Sequence, residues 1–294
     1  MARTKRVVRR RSSPSPPRPR VVIPTELNEP PTNLKDYCLC VFGEKGIGKT
    51  SIASQFPDSL VLMLEPKRRN LRIRQVNIEP MSLKDMSQKN PEMSPWTTVR
   101  EYVRAILEDD SVQTVVIDTI DRAYEACLNH HCFEKGLSHP NDANDYGATW
   151  HGIKDDFEST MSKLLYADKG LIFISHAHLR EQEAKDGLEQ WVPTCSPAAW
   201  KYMKAVCDFA LYYGYAGTDR AITIRGNAGI WSACGVTDRF LLKSGEPLEQ
   251  FTTGKSHEDA YKNLLAAFNN KLPQPEVLSP REEKSSRRNG KKPA

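Results

Sequence analysis

The chain has 294 residues, 39% of them hydrophobic, and a formal net charge of +5, a length that suits one large α/β domain or two small ones. Its seven cysteines are odd in number and scattered along the sequence, which argues against a disulfide framework and indicates free thiols in a reducing cytoplasm. No apolar run approaches the roughly 18 residues that a membrane span needs, so we expect no membrane association.

The charge is distributed unevenly. Residues 1–20 hold eight basic residues and no acidic ones, and residues 273–294 hold six basic and three acidic ones. Because these ends contribute +8 and +3 to a total of +5, residues 21–272 carry a net charge of −6. Ends this polar and this rich in proline and serine bury too little apolar surface to fold by themselves. We therefore predict disordered arms at 1–33 and 273–294 and one domain at 34–272.

The basic ends have three interpretations. Cationic arms bind phosphates and release counterions from nucleic acid, and we favour electrostatic arms that contact nucleic acid. The alternatives are solvated tails without a partner and a targeting signal. Seven prolines between Pro14 and Pro31 argue against an amphipathic transit helix.

Apolar segments of strand length alternate with helical patterns along the chain. The predicted strands are 37–42, 60–64, 114–118 and 170–175, followed by a hairpin of 209–215 and 221–225. The predicted helices are 49–56, 97–108, 121–134, 148–166, 197–206 and 256–270. Residues 66–95, residues 135–146 and a loop that runs to about Pro193 are predicted to be irregular. This alternation predicts an α/β fold, a mostly parallel sheet with helices on both faces and an antiparallel hairpin at one edge.

The first predicted strand leads into a glycine-rich loop. Residues 43–51 read GEKGIGKTS, which matches the phosphate-binding pattern G-x-x-x-x-G-K-[ST] between a strand and a helix. Lys49 is expected to reach the β and γ phosphates and the Thr50 hydroxyl to bind Mg²⁺, so we predict ATP and Mg²⁺ as cofactors. The predicted nucleotide-binding residues are Gly43, Glu44, Lys45, Gly46, Ile47, Gly48, Lys49, Thr50 and Ser51.

Two carboxylates end predicted strands, and the carboxyl ends of parallel strands meet at one edge of a sheet. Asp118 ends the run VVID and is predicted to hold Mg²⁺ together with Thr50; the alternative is an N-cap for the next helix. The residue after Asp118 is a threonine, so the glutamate that many AAA+ ATPases carry there is missing. Glu65, at the end of the second strand, is the predicted water-activating base; the alternative is a surface glutamate beside the basic residues 67–69.

An imidazole and a guanidinium complete the predicted site. His176 follows the strand 170–175 and is predicted to sense the γ-phosphate, with a structural, hydrogen-bonded histidine as the alternative. Arg225 ends the second strand of the hairpin and is predicted to stabilise transition-state charge in a neighbouring subunit. Arg220 and Arg239 compete with Arg225 for that role.

A cluster of thiol and imidazole groups lies around the end of the predicted helix 121–134. Its members are Cys127, His130, His131, Cys132 and His139. Their spacing is irregular compared with the C-x₂₋₄-C and H-x₃₋₅-H of zinc sites, although Cys127 and His131 would be i, i+4 neighbours on a helix. We interpret the cluster as a helix end running into a loop, and we predict no metal other than Mg²⁺.

Taken together, the motifs resemble the phage-type RecA-like ATPases, nucleotide-binding proteins of phages and prophages that are related to single-strand annealing recombinases. The matching segments are GEKGIGKTS, the strand ending in Glu65, VVIDT, DYGATWHGIKDDF, IFISHAH, SPAAWKYMKAVCDFALYY and AITIRGN. The resemblance covers about residues 36–240 and implies a RecA-like P-loop NTPase core, ATP-dependent binding and annealing of single-stranded DNA, and oligomeric assembly. RecA-like ATPases place the catalytic glutamate where Glu65 stands. The arginine- and proline-rich arm and Pro66-Lys67 depart from the family pattern.

We therefore predict a DNA-stimulated ATPase in the cytoplasm of a bacterium or a phage-infected host cell. The predicted catalytic residues are Lys49, Glu65, Asp118, His176 and Arg225. The predicted partners are single-stranded DNA, further copies of the chain in a ring or filament, and single-strand-binding or replication proteins.

Two other functions and one weakness belong beside this prediction. The alternative from another class is a nucleotide-gated module that binds DNA or protein with little turnover. A small-molecule kinase has only the basic residues of 66–70 in its favour. Residues 179–193 mix Arg180 and Lys185 with four carboxylates, which does not suit a phosphate-binding groove, so DNA affinity is expected to depend on the arms. Trp191 is interpreted as a packing residue or as a surface for base stacking.

Overall fold

The computed structural model describes residues 23, 25–27, 29–65, 71–87, 94–181 and 189–272. The helices are α1 (Lys49–Ala53), α2 (Leu83–Ser87), α3 (Pro95–Glu108), α4 (Ile120–Glu134), α5 (Ala148–Leu165), α6 (Pro197–Val206) and α7 (His257–Phe268). The strands are β1 (Cys38–Gly43), β2 (Ser59–Met63), β3 (Gln75–Asn77), β4 (Thr114–Asp118), β5 (Gly170–Glu181), β6 (Glu189–Pro193), β7 (Phe209–Ala216), β8 (Asp219–Thr223), β9 (Ala233–Cys234) and β10 (Gln250–Thr252). These elements belong to the compact unit that begins at Thr32.

The strands form one mixed sheet in the order β10-β8-β7-β1-β5-β4-β2-β3, with β6 paired to β5 and β9 paired to β7. The strands from β7 to β3 in this order run parallel. The hairpin β7–β8 and its neighbour β10 add antiparallel pairs on one side. The predicted α/β fold, with a mostly parallel sheet and an antiparallel hairpin toward one edge, is confirmed.

Alternate residues of β1 show that both faces of the sheet are covered. Cys38, Cys40 and Phe42 pack in a core with α3, α4, α5 and α6. Leu39 and Val41 point to the other face and pack in a second core with α1 and α7. Because successive side chains of a strand alternate between faces, a strand buried on both sides reads as a continuous apolar run, which is how the sequence predicted β1.

Two predicted loops and two predicted strand ends are wrong. The stretch 66–95 contains β3, which pairs with β2, and α2. Strand β5 does not end at residue 175 but runs on to Glu181 and pairs antiparallel with β6, within the predicted polar loop. Backbone pairing holds β3 and the β5–β6 extension, and their short, mostly polar sequences show no apolar alternation that would predict them. Strand β8 ends at Thr223, so Arg225 lies beyond the strand. The backbone N–H groups of Ile224 and Arg225 both donate to the Glu249 carbonyl oxygen, which departs from the regular pairing of the strand.

Several predictions concern residues outside the described ranges. Most of the arm 1–33, the tail 273–294 and the basic stretch 66–70 lie there, as do Glu183 and Asp186, two of the four carboxylates of 179–193. The domain boundaries therefore stay a prediction. Within the part of the chain that the structure describes, no helix combines the length and the apolar character needed to cross a membrane.

Gly43 is the point where β1 passes into the glycine-rich loop. It pairs with His176 of β5 on one side and with Tyr213 of β7 on the other. A Cβ atom placed on Gly43 would lie 1.9 Å from the Tyr213 carbonyl oxygen, which is far inside van der Waals contact. Only glycine lets the two backbones approach this closely, and this approach sets where the loop begins.

We expect Gly43→Ala to destabilise the fold by about 3 kcal/mol or more, since the added methyl group must push strand backbones apart. Gly152→Ala is the matched control, because a Cβ on Gly152 would meet only the His131 ring, at 3.9 Å. Alanine inside helix α5 is expected to be neutral or to stabilise by about 0.5–1 kcal/mol. Urea unfolding of the variants measures both effects. Equal stability of the two variants would contradict the close approach at Gly43.

Candidate nucleotide-binding site

The loop between β1 and α1 has the backbone geometry of an anion-binding turn. Gly46 and Gly48 have φ values of +88° and +116°, in the region that glycine adopts at no steric cost. Gly48 is the N-cap of α1, and among the described residues no side chain caps this helix end. The first N–H groups of α1 are thus directed at the loop, where a phosphate would accept from them.

Lys49 folds back over its own loop. Its Nζ donates hydrogen bonds to the carbonyl oxygens of Gly43 at 2.9 Å and Glu44 at 2.8 Å. The side chain is buried, with 5% of its surface exposed. The long stem therefore holds the ammonium group at the base of the loop, where a bound phosphate would compete with these two carbonyl groups for it.

Thr50 and Asp118 meet beside Lys49. The Thr50 hydroxyl donates to Asp118 Oδ2 at 2.6 Å, and both residues are buried. A hydroxyl and a carboxylate are the oxygen ligands that Mg²⁺ takes in nucleotide sites, so this pair fits the predicted cation. The N-cap of α4 is Thr119, whose side chain accepts from the Arg122 N–H, so the capping alternative for Asp118 is wrong. The Asp118–Thr119 peptide bond is cis.

Glu65 and His176 form the third part of the site. His176 Nε2 lies 2.5 Å from Glu65 Oε1, and its Nδ1 lies 3.4 Å from Lys49 Nζ. A lysine ammonium only donates, so Nδ1 accepts and the ring proton on Nε2 is donated to Glu65. This tautomer follows from the hydrogen-bond partners. Three residues predicted separately thus form one chain, Lys49–His176–Glu65.

A second polar cluster, which the sequence did not predict, adjoins this chain. The Ser175 hydroxyl donates to Asp121 Oδ2 at 3.0 Å, and the Thr194 hydroxyl donates to Asp121 Oδ1 at 2.7 Å. Asp121 lies in the first turn of α4. The hydrogen bond from Thr194 to Asp121 forms because β6, which Thr194 follows, pairs antiparallel with β5. Burial raises the pKa of the adjacent Cys195 thiol, and the Asp121 charge adds to this, so that thiol stays protonated.

Arg225 does not join this cluster. The strand before it, β8, is separated from β1 by β7, and the Arg225 Nε is buried without a hydrogen-bond partner among the described residues. Its role toward a neighbouring subunit stays a prediction. Its competitor Arg239 places its guanidinium 4.9 Å from the Phe268 ring centre, which ties it to the packing of α7.

The geometry agrees with a comparison to known families. Residues 35–244 match a family described as AAA domain. The chain belongs to this AAA domain family. No curated protein matches the sequence. The match spans the glycine-rich loop, Glu65, Asp118 and His176, and it identifies an AAA-type P-loop ATPase domain, a class that binds nucleotide and usually Mg²⁺. The narrower prediction of a phage RecA-like annealing protein goes beyond this family, as do the roles of individual residues.

Replacing Lys49 tests the assigned site of this AAA domain. Lys49→Ala removes the ammonium group, and we expect ATP affinity to fall at least about tenfold, a loss of about 1.4 kcal/mol. Lys201→Ala is the control, because Lys201 is an exposed lysine of α6 and lies outside the predicted nucleotide-binding residues; it should stay within about threefold of the parent. Isothermal titration calorimetry with ATP and Mg²⁺ measures the affinity of both variants. Retained affinity in Lys49→Ala would refute the assignment.

Proposed function

We propose that this AAA domain hydrolyses ATP and couples hydrolysis to single-stranded DNA, as a homo-oligomeric RecA-like ATPase of phage-type recombination, annealing or replication. The family supplies the ATPase part of this proposal. The DNA part rests on the resemblance of the motifs and on the basic ends of the sequence. Single-strand-binding or replication proteins are the further partners that such a role requires.

Each side chain of the site has a separate role in the proposed hydrolysis. Bound ATP–Mg²⁺ supplies the bond to be cleaved and a divalent cation that neutralises phosphate charge. Thr50 and Asp118 would hold the cation, since their oxygen atoms already adjoin. Lys49 would bring its positive charge to the phosphates. Glu65 would orient the attacking water and accept its proton, while the N–H of His176 keeps the Glu65 carboxylate in place.

One observation carries the proposal of coupling. Strand β5 pairs with β1 through His176 and continues without interruption into its hairpin with β6, pairing from Ala177 to Glu181. A shift of His176 that accompanies a change at Lys49 or Glu65 would therefore be transmitted along one strand to an exposed hairpin. The Asp121 hydrogen bonds to Ser175 and Thr194 connect the same hairpin to the helix that follows Asp118.

Besides the basic ends of the sequence, exposed aromatic side chains offer a surface for DNA. Tyr146 is fully exposed in the turn before α5, and Trp150 is partly exposed one turn further on, with its indole N–H donating to Asn141. Bases of single-stranded DNA stack on such rings. Trp191, in contrast, is partly buried, and its ring lies 6.1 Å from that of Tyr212, which favours the packing alternative for it.

Phosphate release with and without single-stranded DNA is the principal test. We expect DNA to increase the rate at least about tenfold, because it selects the hydrolysing arrangement of the hairpin and the site. Glu65→Gln should abolish release yet keep ATP binding, since the amide cannot accept the water proton. A negligible rate that DNA leaves unchanged would favour the nucleotide-gated binding module instead.

The basic N-terminal arm is tested separately. Deleting residues 1–20 removes eight positive charges, so DNA binding should weaken and depend less steeply on salt, because fewer counterions are released. Fluorescence anisotropy of a labelled oligonucleotide at several salt concentrations measures the slope. A variant with the eight basic residues changed to glutamine separates charge from length. An unchanged slope in both would show that the arm does not contact DNA.

A further inference from the structure

Three side chains with metal-binding chemistry converge between α4 and α5. Cys127 and His131 lie one turn apart on α4, and Asp156 reaches them from α5. One ligand atom from each residue lies within 4.8 Å of the other two, and His131 Nε2 is 3.1 Å from Asp156 Oδ2. The three residues belong to the helices on the face of the sheet that is covered by α3 to α6, and none of the three takes part in the proposed ATP hydrolysis or DNA contact.

We propose that Cys127, His131 and Asp156 bind one Zn²⁺ ion that joins α4 to α5. Zinc accepts thiolate, imidazole and carboxylate ligands, with bonds of about 2.0–2.3 Å and a tetrahedral arrangement that separates ligand atoms by roughly 3.3–3.8 Å. The three ligand atoms, which lie within 4.8 Å of one another, reach these separations with side-chain shifts of about 1 Å. Mg²⁺ and Ca²⁺ take oxygen ligands instead, so the buried sulfur of Cys127 selects a softer ion.

The surroundings orient the carboxylate and leave one coordination position open. The Trp96 indole N–H donates to Asp156 Oδ2 at 2.7 Å, and Arg100 lies 3.6 Å from the same oxygen. Hydrogen bonds of this kind hold metal ligands in place. The side chains of His131 and Asp156 are 18% and 20% exposed, and Gly152 places no side chain over the His131 ring. Water can therefore supply the fourth ligand.

Binding requires two proton changes. The Cys127 thiol lies 3.5 Å from the Ile153 carbonyl oxygen, to which it donates. Zinc would replace the S–H proton, which passes to solvent. The proton that His131 Nε2 donates to the Asp156 carboxylate would also leave that nitrogen, as the ring takes the neutral tautomer protonated at Nδ1, so that Nε2 binds the ion. No oxidation or reduction is involved. The ion would fix the middle of α4, the helix whose first turn carries Asp121.

The test is a metal titration of the full chain after dialysis against a chelator. We expect one Zn²⁺ per chain by elemental analysis and, with Co²⁺ as the probe, an absorption band from thiolate-to-metal charge transfer. Cys127→Ser should remove the band, and Asp156→Asn should weaken zinc binding at least about tenfold, because the neutral amide is a poorer ligand than the carboxylate. Cys132→Ser is the matched control, a cysteine that is equally buried on α4 but is not one of the three proposed ligands; it should keep the band.

Three results would overturn the proposal. One is substoichiometric zinc in the parent protein. Another is a cobalt band that survives Cys127→Ser but disappears in Cys207→Ser, because Cys207 Sγ lies 3.7 Å from Cys38 Sγ and that pair would then hold the metal. If Cys127→Ser fails to fold, judged by circular dichroism, His131→Gln and Asp156→Asn decide, and unchanged zinc affinity in both is the third result. The oxygen ligands at the P-loop produce no sulfur band, so the outcome is independent of the ATP site.

Discussion

The contact between the backbone of Gly43 and the carbonyl group of Tyr213 is the constraint on which the nucleotide site depends. It holds β1 between β5 and β7 at the residue where the glycine-rich loop begins. The Lys49 ammonium group donates a hydrogen bond to the Gly43 carbonyl oxygen, so the position of the ammonium group is fixed relative to the same end of β1. A loop anchored in this way presents its N–H groups from a rigid base, which is what pre-organised phosphate binding requires.

The register of the sheet brings the other groups to the loop. Asp118 pairs with Ile174 of β5 and with Met63 of β2, so these three residues lie at one level of the sheet. Glu65 follows β2 by two residues, and His176 follows Ile174 by two. The contact between these two side chains, and that between Thr50 and Asp118, are therefore consequences of strand pairing. Residues separated by more than a hundred positions in the sequence, such as Glu65 and His176, lie together because strand pairing places them at neighbouring levels of the sheet.

The same strands connect the site to the rest of the domain. Strand β5 serves the nucleotide site with His176 and the exposed hairpin with the residues that follow. Helix α4 begins beside Asp118, holds Ser175 and Thr194 through Asp121, and carries Cys127 and His131 on later turns. An ion bound between α4 and α5 would stiffen the helix on which both hydrogen bonds depend. For the proposed coupling, this arrangement would supply a physical route from the phosphates to the surface hairpin.

The sequence by itself determined the phosphate-binding loop, the strands β1, β2 and β4, and the alternation that specifies an α/β fold, because glycine spacing and apolar runs are local properties of the chain. It also identified Glu65, Asp118 and His176 as candidates from their places at strand ends. Only the tertiary structure decided that His176 contacts both Lys49 and Glu65, that β5 continues into a hairpin, and that Asp156 joins Cys127 and His131. These facts depend on strand register and helix packing, which bring distant residues together and leave no periodic signal in the sequence.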